Sequence, residues 1–225
     1  MARRSLSLAH LTREPTAPAE GAPPLLLLLH GVGSNEADLF GLAPELDGRF
    51  FVVSARAPIT LGPGAYGWFH VAFTPQGPAI IPAEAEESRQ ALLRFIDEVV
   101  EAYGVDRRRV YLLGFSQGAI MSLSVALTRP DKVAGAVAMS GRLLPEVRPL
   151  IAAPEELRGL PILLIHGTAD QVLPIQYGRE ARDQLAKLPV ALTYREYPMG
   201  HYVTPESLRD VTDWLEERLG AATDG

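Results

Sequence analysis

Ser116 carries the clearest chemical signal in the sequence, because it lies in the pattern G-x-S-x-G at residues 114–118. The apolar run 110–113 comes directly before this pattern, and a segment of helical character begins directly after it. A serine on such a strand-to-helix turn has a strained backbone that exposes its Oγ at the carboxyl end of a sheet. We therefore predict that Ser116 is a nucleophile. A simple strand-to-helix turn is the alternative.

A serine hydroxyl becomes a good nucleophile only when a neighbouring imidazole removes its proton, so a histidine must come from elsewhere in the chain. His201 is the best candidate among the five histidines, because it lies on a Gly-containing loop between the last predicted strand and the last predicted helix. His30 and His166 each precede a glycine at a strand end, where we expect them to brace a loop. His10 and His70 are predicted to be peripheral.

The histidine in turn needs a carboxylate that fixes its tautomer and stabilises the imidazolium ion. Asp170 follows the predicted strand 162–166 and therefore lies at the carboxyl end of the same sheet. A turn or capping aspartate is the alternative role. The chain order Ser116, Asp170, His201, with each residue after a separate strand, favours the catalytic role.

The glycine-rich segment 29–33 follows the second predicted strand and offers backbone donors for a tetrahedral oxyanion. The N–H groups of Val32 and Gln117 are the predicted donors. The same glycines begin like a dinucleotide-binding loop, but Glu36 occupies the position of the third glycine. An acidic side chain there would repel a pyrophosphate, which disfavours a nucleotide cofactor.

Apolar runs alternate with longer segments of helical period, which predicts a mostly parallel central sheet of about seven strands with helices on both faces. The fold class is therefore α/β, and residues 1–225 are expected to form one domain. The predicted strands are 6–11, 25–29, 50–54, 110–115, 133–139, 162–166 and 191–197. The predicted helices are 83–103, 117–128, 176–187 and 206–219.

Composition excludes several classes of function. The net charge of −6 comes from 21 basic and 27 acidic residues scattered along the chain, so no basic stripe is available for nucleic acid. No apolar run approaches the ~20 residues of a membrane-spanning helix. The absence of cysteine removes disulfides, thiolate metal sites and cysteine nucleophiles. The first residues lack the apolar core of a secretion signal, so we predict a cytoplasmic protein.

With these residues assembled, the sequence resembles the phospholipase/carboxylesterase family, which includes acyl-protein thioesterases and small bacterial carboxylesterases. The segments that carry the resemblance are 29–33, 68–69, 114–118, 166–170 and 200–201. Ala119 departs from the pattern, because many relatives carry another glycine there. A methyl group at this helical position is expected to be tolerated.

The resemblance implies the α/β-hydrolase fold and hydrolysis of carboxylic esters or thioesters without a metal or organic cofactor. It implies a triad of Ser116, Asp170 and His201, with an oxyanion hole formed by the Val32 and Gln117 amides. It also implies that the Pro/Gly-rich segment 57–82, which has no clear period, borders the site and lines an acyl-binding groove. Because residues 61–78 do not align clearly, substrate preference does not transfer.

The substrate is expected to be a small-molecule ester or acyl compound held by apolar side chains on loops near the triad. The predicted lining residues are Trp68, Phe69, Phe73, Leu173 and Met199, with ordinary core packing as the alternative. A non-catalytic binding protein on the same scaffold, and a lactonase or peptidase with the same triad, remain open. Exposed apolar loops near the entrance are compatible with a homodimer.

Overall fold

The computed structural model describes residues 6–19, 21–75 and 77–221, without the side chains of Phe73 and Ala221. Within these ranges, seven strands form a central sheet and four more form two hairpins. The strands are β1 His10–Arg13, β2 Leu25–Leu29, β3 Phe51–Ala55, β4 Ile59–Gly62, β5 Ala65–Gly67, β6 Val71–Thr74, β7 Gly77–Ile80, β8 Val110–Phe115, β9 Gly135–Met139, β10 Pro161–Gly167 and β11 Ala191–Tyr197. The α-helices are α1 Pro82–Tyr103, α2 Gln117–Thr128, α3 Pro154–Leu157, α4 Ile175–Leu185 and α5 Pro205–Ala221.

The central sheet has the strand order β1-β3-β2-β8-β9-β10-β11. β1 runs antiparallel to β3, and every other neighbouring pair is parallel. The predicted mostly parallel sheet of about seven strands is confirmed. The predicted strands after the first lie within two residues of the observed bounds, and so do the four predicted helices.

The first strand is the exception, because the predicted range 6–11 is wrong and the strand occupies His10–Arg13. Its antiparallel partner sets this position, since residues 10–13 pair with residues 52–55 of β3. The guanidinium of Arg13 donates to four backbone carbonyl groups between residues 43 and 50, which anchors the end of the strand. Leu6 and Leu8 pack against the core before the strand begins, and their apolar alternation explains the misplaced prediction.

Helices cover the sheet on both faces, and the side chains of β2 show it directly. Leu25, Leu27 and Leu29 belong to a core cluster that contains residues of α1 and α2. Leu26 and Leu28 belong to a second cluster that contains residues of α5. Successive strand residues point to opposite faces, so a strand that is apolar throughout is the expected sequence for this central position. No helix in the described part of the chain is both long and apolar enough to span a bilayer.

The segment 57–82, predicted as a long loop, contains two antiparallel hairpins. β4 pairs with β5, and β6 pairs with β7. Gly64 turns the first hairpin with φ 69°, in the left-handed region that favours glycine. An isolated bridge between Ser34 and Tyr66 ties this hairpin to the loop after β2. The hairpins therefore lie beside the carboxyl end of the sheet.

Candidate active site

Ser116 forms the turn between β8 and α2 with φ 55° and ψ −117°, a conformation that residues other than glycine rarely adopt. The neighbouring glycines leave no space for a side chain. A Cβ on Gly118 would lie 1.8 Å from the carbonyl oxygen of Leu29, and one on Gly114 would lie 2.2 Å from the carbonyl oxygen of Gly118. The start of α2 consequently packs directly against the end of β2.

His201 lies on the loop between β11 and α5 and reaches both of its predicted partners. Its Nε2 is 2.9 Å from Ser116 Oγ, and its Nδ1 is 2.7 Å from Asp170 Oδ2. An ionised carboxylate only accepts hydrogen bonds, so Nδ1 carries the proton and Nε2 is free to accept the serine hydroxyl. Residues that are 85 and 31 positions apart in the chain thus form one line of hydrogen bonds.

The Asp170 carboxylate is fully buried and held from two sides. Its Oδ1 accepts hydrogen bonds from the backbone N–H groups of Val172 and Leu173, both at 2.9 Å. Its Oδ2 faces His201. These backbone donors and the imidazole of His201 together fix the orientation of the carboxylate.

His166 lies beside this carboxylate, but its contacts are those of a structural residue. Its Nε2 is 3.6 Å from Asp170 Oδ2 and donates instead to the carbonyl oxygen of Leu173 at 2.7 Å. Burial lowers the pKa of His166, which favours the neutral imidazole. The histidine therefore braces the loop that carries Asp170, as predicted.

The loops of Asp170 and His201 are held together at the backbone. A Cβ on Gly167 would lie 2.3 Å from the carbonyl oxygen of Met199, and the Ala169 N–H donates to that same oxygen at 3.1 Å. The Met199 side chain is buried and belongs to the core cluster that contains Tyr197 and residues of α5. Met199 is not part of the lining of the cleft at Ser116, contrary to the prediction.

Val32 and Gln117, the predicted oxyanion donors, line the same cleft as Ser116. The Gln117 N–H belongs to the first turn of α2, where backbone donors have no acceptor within the helix. Within the described residues, the Val32 N–H has no backbone acceptor, whereas the next N–H, that of Gly33, donates to Tyr66 at 2.8 Å. The first hairpin thus holds the turn 31–33, and the Val32 N–H remains available to donate to a ligand.

Sequence reasoning missed the role of the Gln117 side chain. Its Oε1 accepts from the Trp68 N–H at 2.9 Å, and its Nε2 donates to the Phe69 carbonyl at 2.7 Å. The only signal for it was the glutamine in the pattern at residues 114–118.

The Trp68 indole is fully buried, and its Nε1 donates to the His30 carbonyl at 3.0 Å. Trp68 is therefore a core residue and does not line the cleft, contrary to the prediction.

The cleft at Ser116 is mainly apolar and runs toward the second hairpin. Of the residues proposed to line it, Phe69 and Leu173 belong to the cleft lining, whereas the side chain of Phe73 lies outside the described part of the structure. The lining consists of Val32, Phe69, Val71, Pro78, Ile80, Ser116, Gln117, Ile120, Arg142 and Leu173. The hairpin residues of this lining fall within the segment 57–82 that was expected to border the site, whereas no motif marks Arg142.

The remaining histidines lie away from this cleft or serve as braces. His30 Nδ1 donates to the Gly31 carbonyl at 2.7 Å, and its Nε2 accepts from the Ala57 N–H at 3.0 Å. His10 bonds to Tyr103, and the exposed His70 pairs with Glu84. Glu36, which argued against a nucleotide loop, is paired with Arg56, and this pairing lowers the pKa of its carboxyl.

Comparisons with known proteins show which family the chain resembles over most of its length. A family model described as phospholipase/carboxylesterase matches residues 13–219. Carboxylesterase SOBER1 of Arabidopsis thaliana is 30% identical over 72% of this chain and 73% of its own length. Acyl-protein thioesterase 1 of Neurospora crassa is 28% identical, with 88% of each chain covered. The crystal structure of esterase PE8 superposes with a TM-score of 0.80 at 27% identity, over 94% of this chain and 99% of that one.

Proposed function

The chain belongs to the phospholipase/carboxylesterase family of α/β-hydrolases, and on that premise we propose that it hydrolyses carboxylic esters or thioesters through an acyl-enzyme on Ser116. One observation carries the proposal. His201 is 2.9 Å from the Ser116 hydroxyl on one side and 2.7 Å from the Asp170 carboxylate on the other. This is the geometry that activates a serine, because the base contacts the nucleophile and the acid orients the base.

In the first half-reaction, Ser116 Oγ attacks the carbonyl carbon while its proton passes to His201 Nε2. The negative charge that develops on the carbonyl oxygen is stabilised by the N–H groups of Val32 and Gln117. Asp170 stabilises the imidazolium ion and stays ionised. His201 then gives its proton to the departing alcohol or thiol, and the acyl group remains on Ser116.

In the second half-reaction, water enters where the alcohol or thiol left. His201 removes a proton from this water, the hydroxide attacks the acyl carbon, and the bond to Ser116 Oγ breaks with return of the proton. Both half-reactions use the same base and the same two amides. The residues of the chain are thus sufficient for each proton transfer.

The relatives' names cover both kinds of leaving group, since one is a carboxylesterase and another an acyl-protein thioesterase. For this chain, we propose a small acyl compound as the substrate, because the cleft lining is mainly apolar. The cytoplasmic location and the homodimer stay predictions from the sequence.

A fluorophosphonate probe tests the nucleophile directly, because it forms a covalent bond only with an activated serine. We expect one label per chain, on the peptide that contains Ser116, and no label on Ser116→Ala. Ser7→Ala is the matched control, because Ser7 is exposed and lies outside the cleft. Labelling of Ser116→Ala at the wild-type rate would refute the assignment, and a wild-type protein that takes no label would favour a non-catalytic scaffold.

Turnover of p-nitrophenyl butyrate and butyrylthiocholine then compares an ester with a thioester. The chain contains no cysteine, so a thiol reagent reports the thiol released from the thioester without a background from the protein. We expect both activities to disappear together in Ser116→Ala, since one acyl-enzyme serves both substrates.

A further inference from the structure

Arg142 is the only charged residue in the lining of the cleft that contains Ser116, within the described part of the chain. It is half-buried and lies on the loop after β9. The neighbouring apolar side chains include Ile80, Ile120 and Leu173. A cationic side chain in such surroundings loses part of its hydration, which is unfavourable unless an anion or hydrogen-bond acceptors replace the water.

The other polar side chains of the cleft are already occupied. Ser116 bonds to His201, and both ends of the Gln117 carboxamide bond to backbone groups at Trp68 and Phe69. Arg142 makes one hydrogen bond, from Nη2 to the Pro78 carbonyl at 3.3 Å. Its other N–H groups have no acceptor among the described residues. Among the polar side chains of this cleft in the described part of the chain, the guanidinium is therefore the one that still has hydrogen-bond donors available for a ligand.

No carboxylate of the described residues forms an ion pair with Arg142. Burial lowers its pKa, while Tyr177, Glu146 and Glu180 act in the opposite direction from a greater distance. A guanidinium stays protonated at physiological pH even so. The cleft therefore contains one positive charge that lacks a direct counter-charge.

The backbone holds Arg142 in place. Ser140, two residues earlier, has φ 51°, and its N–H donates to the Ile165 carbonyl at 2.8 Å. A Cβ on Gly141 would lie 2.6 Å from the Cβ of Ala119, so this loop packs tightly on α2. The guanidinium carbon also lies 5.7 Å from the centre of the Tyr177 ring. A cation positioned on a rigid segment is suited to recognition, because little freedom is lost on binding.

We propose that Arg142 binds a carboxylate at the far end of the substrate's acyl group, so that monoesters of dicarboxylic acids are the preferred substrates. This inference rests on the proposed function. The acyl side is favoured because the lining of this cleft includes Ser116, Val32 and Gln117 but not His201, the base that protonates the leaving group. A carboxylate matches the planar guanidinium fork and carries one charge, whereas a phosphate monoester would bring a second charge that the cleft does not neutralise.

Matched pairs of esters test the proposal with the wild-type chain. The charged substrates are the monoethyl esters of succinic, glutaric and adipic acids. Each is compared with the neutral ethyl ester whose acyl chain has the same number of carbons, and kcat/KM is measured by pH-stat titration. An apolar cleft without a cation would disfavour the charged member of every pair. We expect a preference of about 10-fold or more for the charged member at the best chain length, consistent with a charge-assisted hydrogen bond.

Variants assign the preference to the guanidinium. Arg142→Met keeps the length of the side chain without the charge, and the ratio of charged to neutral kcat/KM should fall by about 10- to 100-fold. Arg142→Lys should retain part of the ratio, because a lysine keeps the charge but not the two-pronged geometry. Arg148→Met is the matched control, since Arg148 is exposed on the 3-10 helix Pro145–Leu150 that follows this loop and does not line the cleft.

A binding measurement separates this inference from the proposed function. Monoethyl glutarate should bind to Ser116→Ala in a calorimetric titration, and the additional change Arg142→Met should abolish the binding. Turnover of neutral esters without preference for the charged ones, or a ratio unchanged in Arg142→Met, overturns the inference and leaves the proposed function intact. Calorimetric binding without turnover of any ester by the wild type overturns the proposed function instead.

Discussion

The side chain of Gln117 fixes the backbone at Trp68, because its Oε1 accepts the Trp68 N–H at 2.9 Å. Its Nε2 donates to the next carbonyl group, that of Phe69, at 2.7 Å. The residue after the proposed nucleophile thus connects the start of α2 to the segment between the two hairpins. One residue supplies a backbone amide to the proposed oxyanion hole and a side chain to the wall of the cleft.

Replacing Gln117 by alanine should therefore lower the stability of the fold. The change leaves a buried N–H and a buried carbonyl without partners, and each such group costs about 1–3 kcal/mol. We expect the free energy of unfolding, measured by urea denaturation, to fall by about 2 kcal/mol or more. Gln90→Ala is the control, because Gln90 is an exposed residue of α1. Equal losses in the two variants would contradict this role for Gln117.

The positive φ of Ser116 predicts a difference between two inactive variants. Ser116→Ala and Ser116→Gly both remove the hydroxyl, so both should lose activity by at least about 10³-fold. Only glycine adopts φ 55° and ψ −117° without strain, so Ser116→Gly should be more stable than Ser116→Ala by about 1 kcal/mol. Thermal or urea unfolding of the pair measures this, and a more stable alanine variant would argue against strain at the turn.

The variant Asp170→Asn tests whether the Asp170 carboxylate orients His201, and it keeps the backbone contacts of the side chain. The asparagine oxygen can still accept the N–H groups of Val172 and Leu173, which then directs its NH2 group at His201. Two donors facing each other disfavour the tautomer with a proton on Nδ1. We expect kcat for p-nitrophenyl butyrate to fall by about 10³- to 10⁴-fold. Asp183→Asn, on an exposed part of α4, should keep the wild-type rate, and a similar rate in Asp170→Asn would exclude the orienting role.

The central sheet could be predicted because the apolar sequence of its inner strands agrees with their buried position in the fold. β2 and β9 are apolar throughout, as strands covered on both faces must be. The hairpins could not be predicted in the same way, because β5 has three residues and the others in this segment have four. Strands this short depend on contacts with distant residues, such as the bridge between Ser34 and Tyr66, and the sequence does not reveal such contacts.

In the candidate site, too, some residues could be predicted from the sequence and others could not. Ser116, Asp170 and His201 follow separate strands, and the topology of a parallel sheet brings the ends of those strands together. Trp68 was misplaced because an aromatic residue in a glycine-rich segment resembles an exposed one, whereas its indole N–H bonds to a backbone carbonyl in the core. Arg142 was missed because its position in the cleft follows from the packing of a loop on α2.

The free energy of unfolding should depend on pH because two histidines are buried in the folded state. Burial lowers the pKa of both His30 and His166, and their backbone hydrogen bonds offset this only in part. In the unfolded chain a histidine has a pKa of about 6.5. Below that pH the unfolded state binds more protons than the folded state, so the free energy of unfolding decreases as the pH falls. The stability that these groups contribute is complete above about pH 6.5 and is lost progressively below it.

Urea unfolding at several pH values between 8 and 5 measures this slope, in a window where the carboxylates remain mostly ionised in both states. His166→Gln should have a shallower slope than the wild type, because glutamine does not titrate and its Nε2 can still donate to the Leu173 carbonyl. The absolute stability of the variant does not affect the comparison, since only the change with pH is used. Gln176→Ala is the control, because Gln176 is an exposed residue of α4 that does not titrate, so its replacement should leave the slope unaltered. A wild-type slope of zero, or one that His166→Gln does not reduce, would show that His166 is charged or accessible in the folded state.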